Sequence, residues 1–359
     1  MERCQSIERS IIKKYRKPIW NNFIGALKDY RMISAGDKIA VCLSGGKDSF
    51  LLAKCLQELQ RHGSEVPFEL EFIVMDPGYR PENRRRIEVL LEELQIPAHI
   101  YDSPIFSVVE KQTESPCYLC ARMRRGYLYK YAQELGCNKI ALGHHFDDVV
   151  ETILMSMLYG AQMRTMMPKL HSLNFPGMEL IRPLYLVREK DIEAWVRYND
   201  LGFLRCACSV TDSASEDFGS KRAEIKALIS ELRKKNDQID INIFRSAENV
   251  NLETIIGYHK GNEITTFLDE YEKRTVICLS FFITYSEVLR RICSTRHPKD
   301  SWHRTRTPCD CRNGRSPPAE PRWRRSIHRS GRAAPPPVTR PTHCRRGDAR
   351  TAADPTPPW

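Results

Sequence analysis

Two cysteines at metal-ligand spacing lie beside a cluster of positive charge. Cys117 and Cys120 follow Pro116 and precede the three arginines of ARMRRG. A helix opened by this proline would place both thiols on one face of its first turn, where the helix dipole and the arginines favour thiolates. Such a pair can hold zinc or an iron–sulfur cluster, form a redox pair, or pack in the core.

Further thiol ligands lie far along the chain. The segment FLRCACS contains Cys206 and Cys208, in the arrangement Cys-x-Cys. One of them together with Cys117 and Cys120 gives three ligands, which leave one iron of a four-iron cluster open. All four together would close a structural zinc site. Four other cysteines have apolar or helical neighbours, and we predict them to be edge or core thiols without chemistry: Cys4, Cys42, Cys55 and Cys137.

A glycine-containing turn indicates phosphate binding. The sequence SGGKDS, residues 44–49, follows a short apolar run and precedes a helical pattern. Its glycines let backbone N–H groups approach a phosphate, and the next helix adds its positive dipole end. Lys47 adds a point charge, and Asp48 among phosphate-binding groups suits a Mg²⁺ bridge. The predicted binding residues of this loop are Ser44, Gly45, Gly46, Lys47, Asp48 and Ser49.

The elements around these residues alternate between strand and helix. Apolar runs predict strands at 38–43, 68–75, 98–101 and 139–143, and helical spacing covers 49–60, 81–94, 122–135 and 147–159. This alternation predicts an α/β fold, a Rossmann-like parallel sheet with helices on both faces. Because ligands bind at the carboxyl ends of parallel strands, we expect residues 44–49, 76–79 and 143–148 to line one cleft.

The composition of the chain changes near Arg274. Residues 1–274 contain 39 Lys and Arg and 39 Asp and Glu, so the net charge of +11 lies entirely in residues 275–359. That tail is rich in arginine and proline, and we predict that it is disordered, with a basic RNA-binding arm as the alternative. The predicted organisation is a helical segment at 1–35, a catalytic domain at 36–274 and the tail.

The sequence shows no pattern of secretion or membrane insertion. Charges are scattered through the first twenty residues, and the longest apolar run, 276–285, is shorter than the roughly 20 residues that span a bilayer. Thirteen cysteines in such a chain indicate thiols or metal ligands rather than a disulfide framework. We therefore predict a cytoplasmic protein without a membrane partner.

Arginine and tyrosine follow the first cysteine pair. The segment RMRRGYLYKY places Arg122, Arg124, Arg125 and Tyr129 on neighbouring turns of a predicted helix. Guanidinium and aromatic groups together suit phosphate contact and base stacking on single-stranded RNA. The alternative is a solvated helix face with charge pairs. As a group, these four residues are our predicted RNA contacts.

Three ordered motifs carry a family resemblance. SGGKDS resembles the pyrophosphate loop of the ATP pyrophosphatases, or PP-loop proteins, whose fold is adenine nucleotide alpha-hydrolase-like. GHHFDDVVET, residues 143–152, resembles the second motif of their tRNA-modifying branch. PCYLC with a later cysteine is similar to the tRNA 2-thiocytidine synthetases. The resemblance implies that Gly143, Asp147 and Asp148 border ATP and its metal.

The resemblance also implies a reaction. ATP bound with Mg²⁺ at Asp48 adenylates the C2 oxygen of an anticodon-loop cytidine in tRNA, with Lys47 and Asp48 as catalytic residues. A [4Fe–4S] cluster on Cys117, Cys120 and a third cysteine then delivers sulfide to give 2-thiocytidine. The family usually has Cys-x-x-Cys at the third site, so Cys206 and Cys208 both remain candidates, and we favour Cys206. The sulfur donor is left open between a cysteine desulfurase and free sulfide, and a homodimer is allowed.

Other functions fit parts of the same pattern. One alternative is a non-thiolating ATP-dependent tRNA ligase of the lysidine synthetase type, with structural zinc on the cysteines. A persulfide-carrying cysteine, as in thiolases without a cluster, is another. A nucleotide-sensing RNA-binding protein with a redox-active cluster is the non-catalytic alternative.

Overall fold

A six-stranded sheet organises the computed structural model. The structure describes the backbone of residues 3–63, 66–109, 116–204, 216–269 and 271, and the side chains of these residues except 116–118 and 216–220. The strands are Lys38–Leu43 (β1), Glu69–Asp76 (β2), Ala98–Asp102 (β3), Lys139–Ala141 (β4), Lys169–His171 (β5) and Glu179–Ile181 (β6). Their order is β3-β2-β1-β4-β6-β5, and all neighbouring pairs are parallel except β5 and β6.

Helices connect and cover these strands. They are Arg3–Ile12 (α1), Asn22–Asp29 (α2), Lys47–His62 (α3), Pro81–Glu93 (α4), Ile105–Val109 (α5), Pro116–Glu134 (α6), Phe146–Gly160 (α7), Glu189–Tyr198 (α8), Glu216–Lys235 (α9) and Ile239–Ser246 (α10). A π-helical turn, Arg16–Asn21, precedes α2. None of the described helices has both the length and the apolar character that a bilayer crossing requires.

The central strand β1 is buried on both faces of the sheet. Ile39, Val41 and Leu43 belong to one buried cluster, and Ala40 and Cys42 belong to another. Because side chains alternate along a strand, these two clusters are the cores on opposite faces. Helices α3, α4 and α7 contribute to the first core and α6 to the second. The predicted parallel sheet with helices on both faces is therefore confirmed.

The thiols that we predicted to be core residues are buried. Cys4, Cys42, Cys55 and Cys137 are each at most 6% exposed, and none is in a disulfide. Burial raises the pKa of Cys42 to about 12 and that of Cys137 to about 11. A thiol with so high a pKa is protonated near neutral pH and is a poor metal ligand or nucleophile.

Beyond Val250 the described residues form a second compact unit. It contains a short 3₁₀ turn, Leu252–Thr254, and an antiparallel hairpin of Gly257–Lys260 (β7) and Glu263–Thr266 (β8). The predicted boundary at Arg274 and the tail 275–359 lie outside the described residues, and they stay predictions.

A buried ion pair attaches α1 to α3. Lys54 is fully buried, and its Nζ lies 2.6 Å from Glu8 Oε1 and 2.8 Å from the carbonyl oxygen of Leu94. Arg61 also contacts Glu8, at 2.8 Å, but its side chain is 44% exposed. The same carboxylate therefore pairs with one enclosed and one solvated cation.

This difference predicts two different mutational effects. Glu8→Ala leaves the Lys54 ammonium buried without its carboxylate, so the free energy of unfolding should fall by about 3–5 kcal/mol. Arg61→Gln removes only the solvated partner and should cost about 1 kcal/mol or less. Urea denaturation of both variants measures the two effects, and equal losses would contradict this description of the pair.

Candidate active site at the carboxyl ends of β1 and β4

A cavity of about 270 Å³ lies where the strand order reverses, between β1 and β4. Parallel sheets bind ligands at this position because the loops that follow the two strands diverge there. Ser44, Asp48 and Ser49 line the cavity after β1, and Tyr79 lines it after β2. Residues after β4 that line it are Gly143, His144 and Asp148. The expectation that the three loops share one cleft is confirmed.

The loop after β1 leads into the N-terminus of α3 beside the cavity, which Asp48 and Ser49 of the first helical turn line. Gly46 is the N-terminal cap of α3, so no side chain occupies the N–H groups of the first turn. Gly45 has a φ of +84°, and a Cβ there would lie 3.0 Å from Leu204 and 3.1 Å from Ile87. This position therefore requires glycine for both backbone conformation and space. An uncapped helix N-terminus after two glycines is a favourable place for an anion.

Gly143 allows the end of β4 to approach this loop closely. A Cβ at Gly143 would lie 3.0 Å from the backbone carbon of Asp48 and 3.0 Å from the backbone nitrogen of Ser49. These are backbone atoms of the first turn of α3, so they cannot move aside as a side chain can. Gly143 thus permits contact between the loop after β4 and the first turn of α3.

Lys47 and Asp48 interact with each other and with a residue far along the chain. Lys47 Nζ lies 3.2 Å from Asp48 Oδ1 and 3.2 Å from Glu189 Oε1. Burial opposes the charged lysine, but these carboxylates outweigh it and raise the pKa of Lys47. Burial also raises the pKa of Asp48, against the effects of His145 and Lys47. Glu189 was missed at the sequence level because nothing in its local pattern indicates a role.

The two aspartates of the second motif point to different partners. Asp148 lines the cavity, and its carboxylate accepts from Arg222 at 2.6 Å and from the His145 backbone N–H at 3.0 Å. Asp147 instead accepts from the Glu189 backbone N–H at 2.7 Å and from Arg233 at 2.6 Å. Asp148 therefore faces the ligand position, while Asp147 joins the start of α7 to α8 and α9.

His144 is a neutral group on the wall of the cavity. Removal from water lowers its pKa to about 4, and the nearby Arg182 cation acts in the same direction. Its Nδ1 is enclosed and has no hydrogen-bond partner among the described residues. His145 differs, because its side chain accepts from the Asp148 N–H and caps α7. The sequence pattern alone could not show that these two adjacent histidines have different environments.

Helix α6 places the predicted RNA contacts in three environments. Arg122 is exposed, whereas Arg124 and Arg125 are half-buried, and Arg124 lines the cavity. Tyr129 is 3% exposed, and its ring stacks on Phe175 with the ring centres 4.8 Å apart. The predicted contact of Tyr129 with RNA is wrong, because an enclosed ring has no face on which a base can stack.

Of the predicted cluster ligands, only Cys120 has a described side chain. It is half-buried on α6 and packs against the cluster that contains Met75 and Phe106. Cys117 is placed on the first turn of the same helix by its backbone. Its thiol, with Cys206 and Cys208, lies outside the described residues, so the ligand set stays a prediction.

A metal at the nucleotide site would depend on ligands beyond the protein. Within the described residues, no three His, Cys, Asp or Glu side chains are grouped to hold a metal ion. Asp48 Oδ1 is buried and accepts no hydrogen bond there, and the Lys47 ammonium lies 3.2 Å from it, so a metal ion bound by this oxygen would share it with Lys47. Mg²⁺ is commonly held by one or two carboxylates together with substrate phosphates and water. The donor set fits that arrangement.

Helix α9 neutralises the acidic side of the site. Arg222 binds Glu151 at 2.6 Å in addition to Asp148, and Lys226 lies 3.1 Å from Glu189. Arg233 joins Asp147 to the fully buried Asp240. These partners are separated by more than 30 residues in every case except Arg233 and Asp240. No local sequence signal could have identified them.

Comparisons with known proteins agree with this geometry. Residues 17–232 match the model of the PP-loop domain family. A tRNA-cytidine(32) 2-sulfurtransferase of Coxiella burnetii is 35% identical over 253 residues, which cover 70% of this chain and 96% of that protein. The enzyme of the same name from Alcanivorax borkumensis is 37% identical over 249 residues, covering 68% of this chain and 84% of that protein.

A solved structure shows the same fold. The U34-tRNA thiolase NcsA from Methanococcus maripaludis, determined with its [4Fe-4S] cluster, superposes with a TM-score of 0.52 at 23% sequence identity. The match covers 67% of this chain and 80% of that protein. At this level of identity the likeness concerns the architecture.

The close approach at Gly143 predicts a local effect of a single methyl group. Gly143→Ala should lower the free energy of unfolding by about 1–3 kcal/mol, because the added Cβ must push β4 and α3 apart. Gly126→Ala is the matched control, since it adds a methyl group to α6 where no atom of the described residues outside the helix's own backbone lies within 4 Å. Helix propensity should make that control neutral or slightly stabilising, by about 0.5–1 kcal/mol. Thermal denaturation compares the two, and a tolerated Gly143→Ala would contradict the packing.

The neutral state of His144 predicts a pH dependence of stability. Its pKa is lowered from 6.5 to about 4 on folding, so the unfolded chain takes up the proton first as the pH falls. Above pH 6.5 His144 is neutral in both states, and the free energy of unfolding keeps its full value. Between pH 6.5 and 4 the unfolded chain is favoured progressively, so the free energy of unfolding falls. His144→Asn should flatten that decline relative to the unmodified chain.

Denaturation at several pH values measures the difference between the two curves. His62→Gln, which removes an exposed imidazole, is the control and should follow the unmodified chain. Parallel curves for the His144 variant and the unmodified chain would mean that His144 does not titrate differently on folding.

Proposed function

The chain belongs to the PP-loop domain family, among the tRNA-cytidine(32) 2-sulfurtransferases, and on that premise we propose that it thiolates a tRNA cytidine using ATP. The observation that carries the proposal is the uncapped N-terminus of α3, which faces a cavity at the point where the strand order reverses. A helix end of this kind favours the pyrophosphate of ATP. The named relatives supply the substrate class, a cytidine in tRNA.

ATP is required because the oxygen on C2 of cytosine is a poor leaving group. Attack of this oxygen on the α-phosphate of ATP breaks the bond to the β-phosphate, releases pyrophosphate and leaves the base joined to AMP. Sulfide then adds to C2, and AMP departs with the original oxygen. The product is 2-thiocytidine, and no net oxidation or reduction occurs. In this scheme the loop at 44–49 binds phosphates, and its Ser44 and Ser49 line the cavity.

Lys47 and Asp48 are the proposed catalytic residues of the adenylation step. Asp48 offers a buried carboxylate oxygen to Mg²⁺, and Lys47 stands beside it with a raised pKa and therefore a positive charge. Together they would offset the negative charge that accumulates on the phosphates as the bond to pyrophosphate breaks. Asp148 and Gly143 complete the wall of the site. Asp147 positions α7 by accepting a hydrogen bond from the backbone N–H of Glu189 at the start of α8.

The cysteines are the proposed ligands of a [4Fe–4S] cluster. Cys117 and Cys120 are three residues apart on α6, and the half-buried position of Cys120 suits a cluster that must be shielded yet accessible. Cys206, or alternatively Cys208, is the proposed third ligand. When bound, a cluster with three protein ligands supplies one iron atom with an open position for sulfide. The sulfur would come from a cysteine desulfurase or from free sulfide.

Further parts of the proposal concern the surroundings of the reaction. Arg122 and Arg125 are proposed RNA contacts on the helix that carries the cysteine pair. We place the reaction in the cytoplasm, and a homodimer is compatible with it.

Replacement of one proposed cluster ligand tests the function. Cys117→Ala should abolish formation of 2-thiocytidine and lower the iron and sulfide content, while ATP still binds, because the thiol lies outside the phosphate loop. Cys137→Ala is the control, since that thiol is buried in the core and should leave the iron content unchanged. Nucleoside analysis of reacted tRNA and iron and sulfide quantitation on anaerobically purified protein are the measurements.

Two results would contradict the proposal. Full thiolation by the Cys117 variant would show that this thiol is not required. Stoichiometric zinc in place of iron, with ATP consumed but no sulfur in the tRNA, would favour a non-thiolating ligase.

A further inference from the structure

The charged groups around the cavity are largely balanced by one another. Lys47 lies between the carboxylates of Asp48 and Glu189, and Asp148 is paired with Arg222. A cation already held by two carboxylates contributes less attraction to an incoming phosphate than a cation without such partners. The attraction of this site for phosphate must therefore come from backbone N–H groups and from any cation that is not balanced in this way.

Arg124 is such a cation. It lines the cavity from α6, and among the described residues no carboxylate forms an ion pair with it. Its Nε is buried and lacks a hydrogen-bond acceptor there. Its guanidinium lies over the Phe106 ring, 5.5 Å from the ring centre, so an aromatic face supports the group from behind. A buried donor without an acceptor is rare in folded proteins, and a bound anion or an ordered water is a partner that would satisfy it.

The neighbouring wall of the cavity adds no competing charge. His144 is uncharged near neutral pH and presents an enclosed Nδ1 without a partner. Arg182 is not among the lining residues, but its charge helps to lower the pKa of His144, and its buried Nε also lacks an acceptor within the described residues. Arg124 is therefore a lining cation whose charge no described carboxylate offsets by direct contact. An anion is the ligand that would offset it.

The position of Arg124 along α6 relates it to the cysteine pair. It follows Cys120 by four residues and Cys117 by seven, which is the spacing of one helix face. At a rise of about 1.5 Å per residue, its Cα lies roughly 6 Å along the helix axis from that of Cys120. One rigid helix thus carries both the cysteine pair and an arginine that faces the nucleotide cavity.

We propose that Arg124 binds a phosphate of the nucleotide, and that it thereby holds the nucleotide next to the helix face that carries Cys117 and Cys120. This assignment differs from contact with the RNA backbone, which the arginine-rich sequence alone would favour. Planar guanidinium donors can form two parallel hydrogen bonds with a phosphate, which a point charge cannot. The inference takes the identity of the nucleotide, ATP, from the proposed function.

The test compares nucleotides with and without phosphate. Equilibrium binding of ATP, AMP and adenosine is measured on the full chain in the absence of tRNA and sulfide. Arg124→Gln should weaken ATP and AMP at least ten-fold and leave adenosine within two-fold. Arg124→Lys, which keeps the charge but loses the planar fork, should lie between Arg124→Gln and the unmodified chain.

Lys130→Gln is the matched control, because it removes an exposed cation from the same helix. Lys130 pairs only with Glu134 among the described residues, one turn away, and its side chain is 62% exposed. The affinity of the Lys130→Gln variant for ATP, AMP and adenosine should stay within two-fold of that of the unmodified chain. Circular dichroism of each variant establishes that the fold is retained, and Arg124→Lys serves if Arg124→Gln fails to fold.

Three outcomes would overturn the inference. The first is an affinity for ATP that is unchanged in Arg124→Gln. The second is an equal loss for adenosine, which would mean that the substitution distorts the cavity. The third is a loss of tRNA affinity alone, which would assign Arg124 to the RNA. Since these measurements need no thiolation, a chain that binds ATP through Arg124 without modifying tRNA would refute the proposed function and leave this inference standing.

Discussion

The contact between the end of β4 and the first turn of α3 determines the geometry of the whole site. Glycine at position 143 allows this close approach, since a Cβ there would lie 3.0 Å from backbone atoms of Asp48 and Ser49. The contact brings the phosphate loop and the acidic start of α7 to one cavity, although about 100 residues separate them. The site is thus a consequence of sheet order: β1 and β4 are neighbours, and the chain diverges from them in opposite directions.

Charge balance is the second constraint, and it depends on helices beyond the sheet. The carboxylates at the start of α7 and α8 face the phosphate loop, and alone they would repel ATP. Cations of α9 offset them: Arg222 at Asp148 and Lys226 at Glu189. The described side chains of α9 therefore balance charge beside the site, although none of them lines the cavity. The arginine of α6 that faces the cavity, Arg124, stands outside this network, and for this reason we assign it a separate role.

Much of the fold follows from local pattern. The predicted strand at 38–43 coincides with β1, and the helix predicted at 81–94 agrees with α4 within one residue. In both segments the spacing of apolar residues along the sequence already shows which side chains are buried. The pair β5 and β6 was missed because each strand is three residues long and, unlike the KIALG segment at β4, neither belongs to a continuous apolar run. Tyr129 was misassigned for a related reason: a tyrosine on a basic helix suits RNA, but its position on the helix turns it toward Phe175 and the core.

The sequence by itself determined which chemical groups are available: two glycines before a helix, paired aspartates and a cysteine pair opened by proline. These signals are local, because a backbone turn or one helical turn already sets the spacing that they need. Tertiary structure alone decided which of those groups share a cavity. It separated Asp148, which faces the ligand position, from Asp147, which holds helices together, and it placed Arg122 in solvent and Arg124 at the cavity. Exposure and ion pairing depend on residues far along the chain, so no local pattern contains them.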